Sequence, residues 1–374
     1  MFRRVAQMTV IGLCLLVVIP SVNAGPKVEW GEDSWMQLSF LGQPHFKYED
    51  DAADQEDFYL RRGRIILQGQ IIDGVKFFVE TDNDNAGRSG AAASSTDIQD
   101  AWIDLRIAGS HWIQGGLILL PFSFENRSSA ASLLGIDYNA ETIQFVNNFV
   151  WRDYGVELHG MLGEKIGYRI GAFDGYDAPG STKNPDAGLR VTGRIDLGVV
   201  GKAPGGWFYS QNHLGKDQYL TIGAGIDMQP DATVSPATRD VTITLPDGAG
   251  VPTAVAGSQA ATPMVQDSEN WVVDLQSSFN MGEAAALLLN AAYYDWDNSR
   301  FEGNTAFVET GLLLNGKIMP TFKYALRDPA EGDDVTDYTA GLHYFIKGQN
   351  ARAGVEYRWG DSNDQALVGL QFLL

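Results

Sequence analysis

From residue 25 onward the sequence lacks cysteine. The single cysteine, Cys14, lies in an apolar run, Val10–Ile19, that follows two arginines and precedes a small-residue segment, residues 22–24. A positive start, a short apolar run and a small-residue end predict a signal peptide, residues 1–24, that is cleaved. The remaining chain is therefore expected to be exported without disulfides, so hydrogen bonding and packing must stabilise it.

Long apolar runs and positive charge are also scarce. No run after residue 24 approaches the roughly 18 apolar residues that a transmembrane helix requires. The 27 basic residues, less Arg3 and Arg4, leave 25 against 47 acidic ones, a net charge of −22. Nucleic acid is not expected as a partner of so acidic a chain. What is abundant, 42 glycines and 11% aromatics, favours an all-β protein with many turns.

Catalytic and metal-binding motifs are missing as well. The five histidines lack HExxH spacing, and the sequence has no G-x-S-x-G, P-loop or C-x-x-C-H motif. Residues 82–87 begin like a calcium loop, but Ala86 and Ala93 stand at its fifth and twelfth positions, where ligands are needed. We therefore predict no catalytic residue, no metal site and no cofactor. Spacing alone leaves open a serine-type triad assembled in space.

What the sequence does have is a regular alternation of apolar and polar residues. Trp35–Tyr48, Asp337–Ile346 and Ala351–Trp359 each place an apolar residue at every second position. This period of two gives a strand one apolar and one polar face. Sixteen segments of strand length begin near residues 34, 57, 74, 96, 110, 151, 164, 188, 218, 270, 284, 304, 317, 335, 350 and 364.

The connections indicate what kind of sheet these strands form. Tight turns such as Asp73-Gly74 and Asn315-Gly316 alternate with longer polar links such as residues 82–96. One link, Gly198–Asp217, is long where a tight turn is expected. Short turns at one end, long loops at the other and an even strand count are typical of an outer-membrane barrel. We predict an all-β fold over residues 25–374: a transmembrane antiparallel β-barrel of 16 strands whose polar face lines the lumen, with a soluble sandwich as the alternative.

The segment FYLRRGRIILQGQI (58–71) contains three arginines. If Tyr59 and the other odd-numbered residues face lipid, Arg62 and Arg64 face the lumen, whereas Arg61 lies on the lipid face near the extracellular end. The same alternation gives the remaining basic candidates for the pore lining, which are Lys76, Arg106, Arg169, Arg190, Arg194, Lys317, Lys323, Arg352 and Arg358. It also gives nine acidic ones: Glu80, Asp82, Asp100, Asp104, Glu157, Asp196, Asp274, Glu309 and Glu356. So mixed a wall favours a weak anion preference at most.

Several stretches, in order along the chain, resemble a known family. They are FYLRRGRIILQGQI (58–71), GVKFFVETD (74–82), DAWIDLRI (100–107), IQGGLILLPFSFEN (113–126), RDYGV (152–156), GYRIGAFDGYD (167–177), GLRVTGRIDL (188–197), MPTFKYALRDP (319–329), the strand at 351–359 and LVGLQFLL (367–374). Together they are similar to the phosphate-selective porin O and P family. The resemblance implies a 16-stranded outer-membrane porin, usually a homotrimer, that passes small anions through a basic lumen. It also implies an inward-folded loop, here Phe122–Val150.

Two departures from the family pattern are visible. Leu119 stands where the family's Gly-x-x-Lys-x-Pro-Phe pattern has lysine, which weakens the case for phosphate selectivity. The chain also ends in Leu374 rather than in an aromatic residue.

We therefore expect a channel for passive diffusion of small hydrophilic solutes, inorganic anions with weak selectivity. Its location would be the outer membrane of a Gram-negative bacterium, in contact with lipid and lipopolysaccharide. The alternatives are a barrel that serves as a sleeve or scaffold for a partner protein, such as an electron-transfer cytochrome, and a hydrolase at the barrel rim.

Overall fold

The alternating segments form strands in the computed structural model, which describes residues 25–50, 52, 55–88, 95–175, 188–234, 238–246, 252–260, 265–298 and 301–374. In chain order the strands are β1 (Lys27–Trp30), β2 (Ser34–Glu49), β3 (Glu56–Ile72), β4 (Val75–Asp82), β5 (Asp97–Ala108), β6 (His111–Leu119), β7 (Arg152–Leu162), β8 (Ile166–Phe173), β9 (Arg190–Val200), β10 (Tyr219–Val234), β11 (Thr238–Pro246), β12 (Pro252–Ala260), β13 (Val265–Asn280), β14 (Ala285–Asn298), β15 (Phe301–Leu314), β16 (Ile318–Pro329), β17 (Val335–Lys347), β18 (Ala351–Gly360) and β19 (Gln365–Leu373). Two short helices, α1 (Phe124–Arg127) and α2 (Ala140–Phe149), lie between β6 and β7. The predicted signal peptide lies outside the described residues.

Sixteen of these strands, β2–β10 and β13–β19, close into one antiparallel barrel. β19 pairs with the extracellular part of β2, with Gln365 opposite Glu49, and β1 pairs with the rest of β2, with Lys27 opposite Gln37. β11 and β12 form a separate hairpin in the link between β10 and β13. The sixteen barrel strands begin within five residues of their predicted starts, so the predicted fold and strand number are confirmed.

Local sequence sets the short turns. In the turn between β15 and β16, Asn315 and Gly316 both have positive φ, 50° and 64°. A two-residue hairpin turn needs this geometry, and asparagine and glycine adopt it most readily. The short turns lie at the end of the barrel where β2 begins and β19 ends, which is the periplasmic end of such barrels. The link between β9 and β10, residues 201–218, is the predicted long exception at that end.

The two faces of the wall have different surroundings, as β14 illustrates. Leu287, Leu289 and Tyr293 point outward and are about 40% exposed, whereas Leu288 and Tyr294 point inward and are fully buried. An outward band of exposed apolar side chains suits contact with lipid. The inward side chains are instead covered by chain that lies within the barrel.

Of the parts of the chain that the structure describes, two segments fold into the lumen. The first, residues 120–150, contains α1 and α2 and is named the outer segment; the second, residues 201–218, is named the periplasmic segment. Phe122 and Phe124 of the outer segment and Tyr209 of the periplasmic segment belong to one buried cluster with inward-facing wall residues. The main hydrophobic core therefore lies inside the barrel, and the predicted inward loop is confirmed. Among the described residues no helix combines the length and apolar character needed to cross a membrane.

Candidate pore site

A bulge in β3 changes where the arginines of residues 58–71 point. Gln43 of β2 lies opposite Arg62, but the next residue, Pro44, lies opposite Leu60, so Arg61 is an extra residue in the ladder. Proline lacks the N–H that a ladder bond requires and is tolerated in sheets at edges and bulges. The extra residue reverses the alternation on the N-terminal side of the bulge.

Arg61 therefore lies inside the barrel. Its guanidinium donates hydrogen bonds to Asp84 and Asp137. Tyr59, on the same side of the bulge, is also inward, and its ring lies 5.6 Å from that of His45. The predicted lipid-facing positions of Arg61 and Tyr59 are wrong, because strict alternation does not allow for an inserted residue.

The carboxylate of Asp137 is the meeting point of two of these arginines. Arg62 Nη2 donates to Asp137 Oδ1 over 2.8 Å, Arg61 donates to Oδ2, and the backbone N–H of Tyr138 donates to Oδ1 over 2.9 Å. Burial by itself would raise the pKa of Asp137, but the guanidinium groups of Arg61 and Arg62 hold it well below its usual range. Asp137 is therefore a permanent anion of the outer segment, fixed to β3.

Other basic residues of the wall form buried ion pairs with neighbouring strands. These pairs are Arg64 with Glu80 and Asp82, Arg169 with Glu157, and Arg190 with Asp227. The two bonds from Arg190 to Asp227 measure 2.6 and 2.8 Å, and both side chains are almost fully buried. Such pairs compensate their own charges and stiffen the wall.

A further group of inward basic residues holds the outer segment through its backbone carbonyls. The bonds are Arg194 Nη1 to Phe122 O (3.0 Å), Lys323 Nζ to Asp137 O (2.9 Å), Arg352 Nη1 to Leu133 O (2.7 Å) and Arg352 Nη2 to Gly135 O (3.0 Å). Arg194, Lys323 and Arg352 lie on β9, β16 and β18, and Arg62 on β3 also holds the segment. The outer segment is thus attached around most of the barrel circumference.

The remaining predicted basic residues lie toward the two ends of the barrel. At the periplasmic end, Lys76 and Arg106 lie over the ring of Trp112, at 4.2 and 5.3 Å, and Lys317 is exposed in a turn. At the extracellular end, Arg358 lies 3.8 Å from Asp337. The eleven candidates therefore do not form one continuous basic lining.

Besides Arg61, sequence reasoning missed other basic residues of the interior, among them Lys47, Arg88, Arg127 and Arg152. Lys47 lies on the polar face of β2, and alternation could have included it. Arg88 lies in a loop over the ring of Tyr59, and Arg127 lies in α1, where alternation does not apply. Arg152, at the start of β7, donates two hydrogen bonds to Asp100, of 3.1 and 2.8 Å.

A cavity of about 320 Å³ opens at the extracellular end of the lumen. Five basic residues line it, which are Lys47, Arg61, Arg88, Lys323 and Arg358. Five acidic residues also line it, which are Glu49, Asp137, Glu141, Asp337 and Glu356. The rings of Tyr59 and Tyr138 also line the cavity. The cavity is therefore polar, of balanced charge, and closed below by the outer segment.

The lumen has two chemically different sides. On β4–β8 and β13–β16, named the aromatic side, inward rings share one buried cluster with both segments. Trp296 packs with Phe122 of the outer segment, and Trp102 packs with Trp207 of the periplasmic segment. On β2, β3 and β17–β19, named the charged side, residues such as Arg62, Arg352 and Gln371 bond to the same segment. The extracellular cavity borders the charged side through Lys47, Glu356 and Arg358.

The outer segment brings a buried carboxyl group, that of Glu125, against the aromatic side. Glu125 of α1 accepts hydrogen bonds from the backbone of Asn139 (3.1 Å), from Thr142 Oγ1 (3.0 Å) and from Tyr294 Oη (3.1 Å). Burial, reinforced by the charge of Glu309, raises the pKa of Glu125 to about 8. The three donors partly offset this rise in pKa, and they tie α1 to α2 and to β14.

Part of the sequence of this barrel matches a known protein family. Residues 34–194 match the family of phosphate-selective porin O and P. The predicted resemblance is confirmed over that range. In this range Leu119, which replaces the family's lysine, is buried, and its carbonyl accepts a bond of 3.1 Å from Arg127 Nη1.

Solved structures give the same fold. OmpF of Salmonella typhi in complex with daunomycin superposes with a TM-score of 0.60 at 12% identity, over 93% of this chain and 100% of that chain. OmpT of Vibrio cholerae gives 0.56 at 11% identity, over 93% and 99%. A porin variant of Rh. blastica gives 0.53 at 14% identity, over 91% and 100%. No curated protein matches the sequence.

The family match and the fold place the protein in the outer membrane of Gram-negative bacteria, as predicted. They also support a channel for small solutes as its general function.

Proposed function

We propose that the protein is a restrictive diffusion channel for small hydrophilic solutes, with a weak preference for inorganic anions. The observation that carries this proposal is the 320 Å³ cavity at the extracellular mouth, with five basic and five acidic side chains in its lining. A polar cavity of this size suits ions and small hydrophilic solutes. A wall of nearly balanced charge selects weakly.

The preference for anions over cations follows from the hydrogen bonds that two acidic side chains of the cavity accept. Backbone N–H groups of Tyr138 and Ile136 donate to Asp137 and Glu356, over 2.9 Å each. These donors add positive partial charge next to both carboxylates. Arg88, by contrast, lies over the ring of Tyr59 and lines the cavity. The potential in the cavity is therefore expected to favour anions slightly.

The roles of the eleven predicted basic residues divide accordingly. We propose that Lys323 and Arg358, which line the cavity, are the predicted residues that meet a passing anion, together with Lys47, Arg61 and Arg88. Arg62, Arg194 and Arg352 act indirectly by holding the outer segment. We propose no enzymatic activity, and assembly into a homotrimer remains a proposal that follows from the family match.

The sleeve alternative is not favoured. A sleeve needs an open lumen for its partner protein, but the outer and periplasmic segments of this chain occupy the lumen themselves.

Reversal potentials in a KCl gradient across a planar bilayer test this proposal. We expect a steady conductance and a small reversal potential of the sign that chloride permeation produces. A reversal potential of cation-selective sign would overturn the anion preference. A folded barrel that conducts neither in its native form nor after removal of the periplasmic segment would overturn the channel itself.

A further inference from the structure

The periplasmic segment crosses the barrel from one wall to the opposite one. Arg169 on β8 donates to the carbonyl of Gly206, and Gln349, in the turn between β17 and β18, donates to the carbonyl of Asn212 over 3.1 Å. In the order of barrel strands, β8 and this turn lie about half the circumference apart. The segment therefore spans the lumen at its periplasmic end.

This segment is joined to the outer segment by backbone hydrogen bonds. Tyr209 N donates to Arg127 O over 2.8 Å, and Ser129 N donates to Tyr209 O over 2.9 Å. Farther along, the backbone N–H of Leu134 donates to the side chain of Gln211 over 3.1 Å. Two pieces of chain that enter from opposite ends of the barrel thus form one layer across it.

Arg127 holds the junction with its side chain. Its guanidinium lies 4.9 Å from the ring of Trp207 and 5.7 Å from the ring of Tyr209, and its Nη2 donates to Trp207 O over 2.7 Å. A desolvated guanidinium between aromatic rings gains both cation–π attraction and apolar contact. We name Arg127, Trp207 and Tyr209 the clasp.

The two segments differ in how they can move. The outer segment contributes most of its aromatic side chains to the buried core, whereas the periplasmic segment contributes Tyr209 fully and its other rings partly. Glycines with positive φ, Gly201 (71°) and Gly215 (70°), lie near its two ends. Glycine adopts backbone conformations that other residues rarely reach, so these two positions can act as hinges for the segment between them.

We propose that the periplasmic segment is a gate, which sets the narrowest part of the pathway and opens when the clasp is released. This inference rests on the proposed channel function and adds a second selectivity element to it. The outer segment forms the fixed floor of the mouth cavity. The periplasmic segment lies between this floor and the periplasm, and its position sets whether the pathway is open or closed.

Release of the clasp by mutation is the direct test. The double variant Trp207→Ala/Tyr209→Ala removes both rings around Arg127. A matched control, Trp271→Ala/Tyr293→Ala, removes a ring pair of 5.5 Å separation from the exposed outer face of the barrel. In planar bilayers we expect single-channel conductance to rise roughly twofold or more in the clasp variant and to stay unchanged in the control. Equal conductance in the folded clasp variant and the native protein would overturn the gate.

A second measurement tests the gate in case the clasp variant does not fold. Gly205→Cys places a thiol on the periplasmic segment at an exposed position where a Cβ would meet no atom within 4 Å. The chain after residue 24 has no other cysteine, so a bulky thiol reagent modifies this site alone. We expect modification from the periplasmic side to change the current, whereas modification of Glu283→Cys, in the exposed turn between β13 and β14, leaves it unchanged. Complete modification of Gly205→Cys, verified by mass, with an unaltered current would contradict the proposal.

Replacement of residues 203–213 by a short Gly-Ser linker separates failure of the gate from failure of the channel. If the native protein and this variant conduct equally, the gate is wrong and the channel stands. If both fold and neither conducts, the proposed channel function is wrong as well. We expect the variant to conduct more than the native protein.

Discussion

The two sides of the lumen hold the same piece of chain by different forces. On the aromatic side, Phe122 and Phe124 of the outer segment pack among inward rings such as Tyr294 and Trp296. On the charged side, the carbonyls of residues 130–135 accept hydrogen bonds from side chains of β2, β18 and β19, Arg352 among them. Apolar burial excludes water over a large area, whereas hydrogen bonds keep a polar surface next to the segment.

This difference explains how a barrel can be both filled and permeable. The aromatic side acts as a core, and its loss would expose a large apolar surface to water. The charged side acts as a set of local attachments that border the mouth cavity. We therefore expect mutations on the aromatic side to act mainly on stability, and mutations on the charged side mainly on conduction.

The largest effect is expected from Trp296→Ala. Trp296 is 1% exposed, lies 5.7 Å from Phe122 and 6.2 Å from Phe145 between ring centroids, and donates from Nε1 to Thr305. Truncation of a buried tryptophan costs about 3–5 kcal/mol in the free energy of unfolding. Guanidinium unfolding of the refolded barrel measures this loss.

The matched control is Trp271→Ala on the outer face of the neighbouring strand, where the side chain is 42% exposed. It should lose much less stability than Trp296→Ala. Equal losses in the two variants would show that the interior rings are not a core.

A smaller effect on stability, with a clear effect on conduction, is expected from Arg352→Ala. The change leaves the carbonyls of Leu133 and Gly135 without their donor, which costs about 1–3 kcal/mol. Because the outer segment is then loosened on the charged side, conductance should increase.

Arg352→Lys retains one charge but not the two-pronged geometry, so it should lie between the native protein and Arg352→Ala. Planar-bilayer recordings of the three proteins give the order. A drop in conductance for Arg352→Ala would argue against an anchoring role for this residue.

Stability should also depend on pH through Glu125 on the aromatic side. Its folded pKa of about 8 lies above the ordinary value of 4.5, so the folded state holds a proton that the unfolded state releases. The stability from this group is complete below pH 4.5 and falls as the pH rises toward 8, by at most about 1.4 kcal/mol per pH unit. Unfolding free energies measured from pH 4.5 to 9 test this slope.

Glu125→Gln cannot lose this proton and should give a flatter pH profile. If the native protein and Glu125→Gln have the same slope, the carboxyl is not held protonated in the fold.

The smallest effect is expected on ion selectivity. Arg88→Ala and Arg358→Ala each remove a positive charge from the mouth cavity, so the reversal potential in a KCl gradient should shift toward cations by a small amount. Lys27→Ala, which removes an exposed lysine paired with Glu29 outside the cavity, is the control. A shift of the same size in the control would indicate that the total charge of the protein, and not the mouth cavity, sets selectivity.

Much of the barrel could be predicted because strand and turn signals are local. Asn315-Gly316 fits a hairpin turn whatever the rest of the chain does, and alternation assigns a face to each residue of a regular strand. Alternation assigned Arg61 to the wrong face of β3. The reason lies in the partner strand, where Pro44 cannot donate a ladder hydrogen bond and the register shifts beside it. Proline within a predicted strand was therefore the one local warning of the bulge.

The filling of the lumen could not be predicted in the same way. Trp296 and Phe78 fall on inward faces that a porin-like pattern reserves for polar residues, and their partners Phe122 and Trp207 lie in links far along the chain. The length of Gly198–Asp217 marked the periplasmic segment as unusual, but its path across the barrel depends on anchors as distant as Arg169 and Gln349.

The sequence by itself thus determined the membrane barrel, its sixteen strands and most of the inward charges, since periodicity and turn chemistry act over a few residues. Tertiary structure alone decided what those charges do. Arg62, Lys323 and Arg352 hold the outer segment, and Arg127 joins it to the periplasmic segment. Long-range closure of the sheet brings these partners together, and no local pattern encodes that proximity.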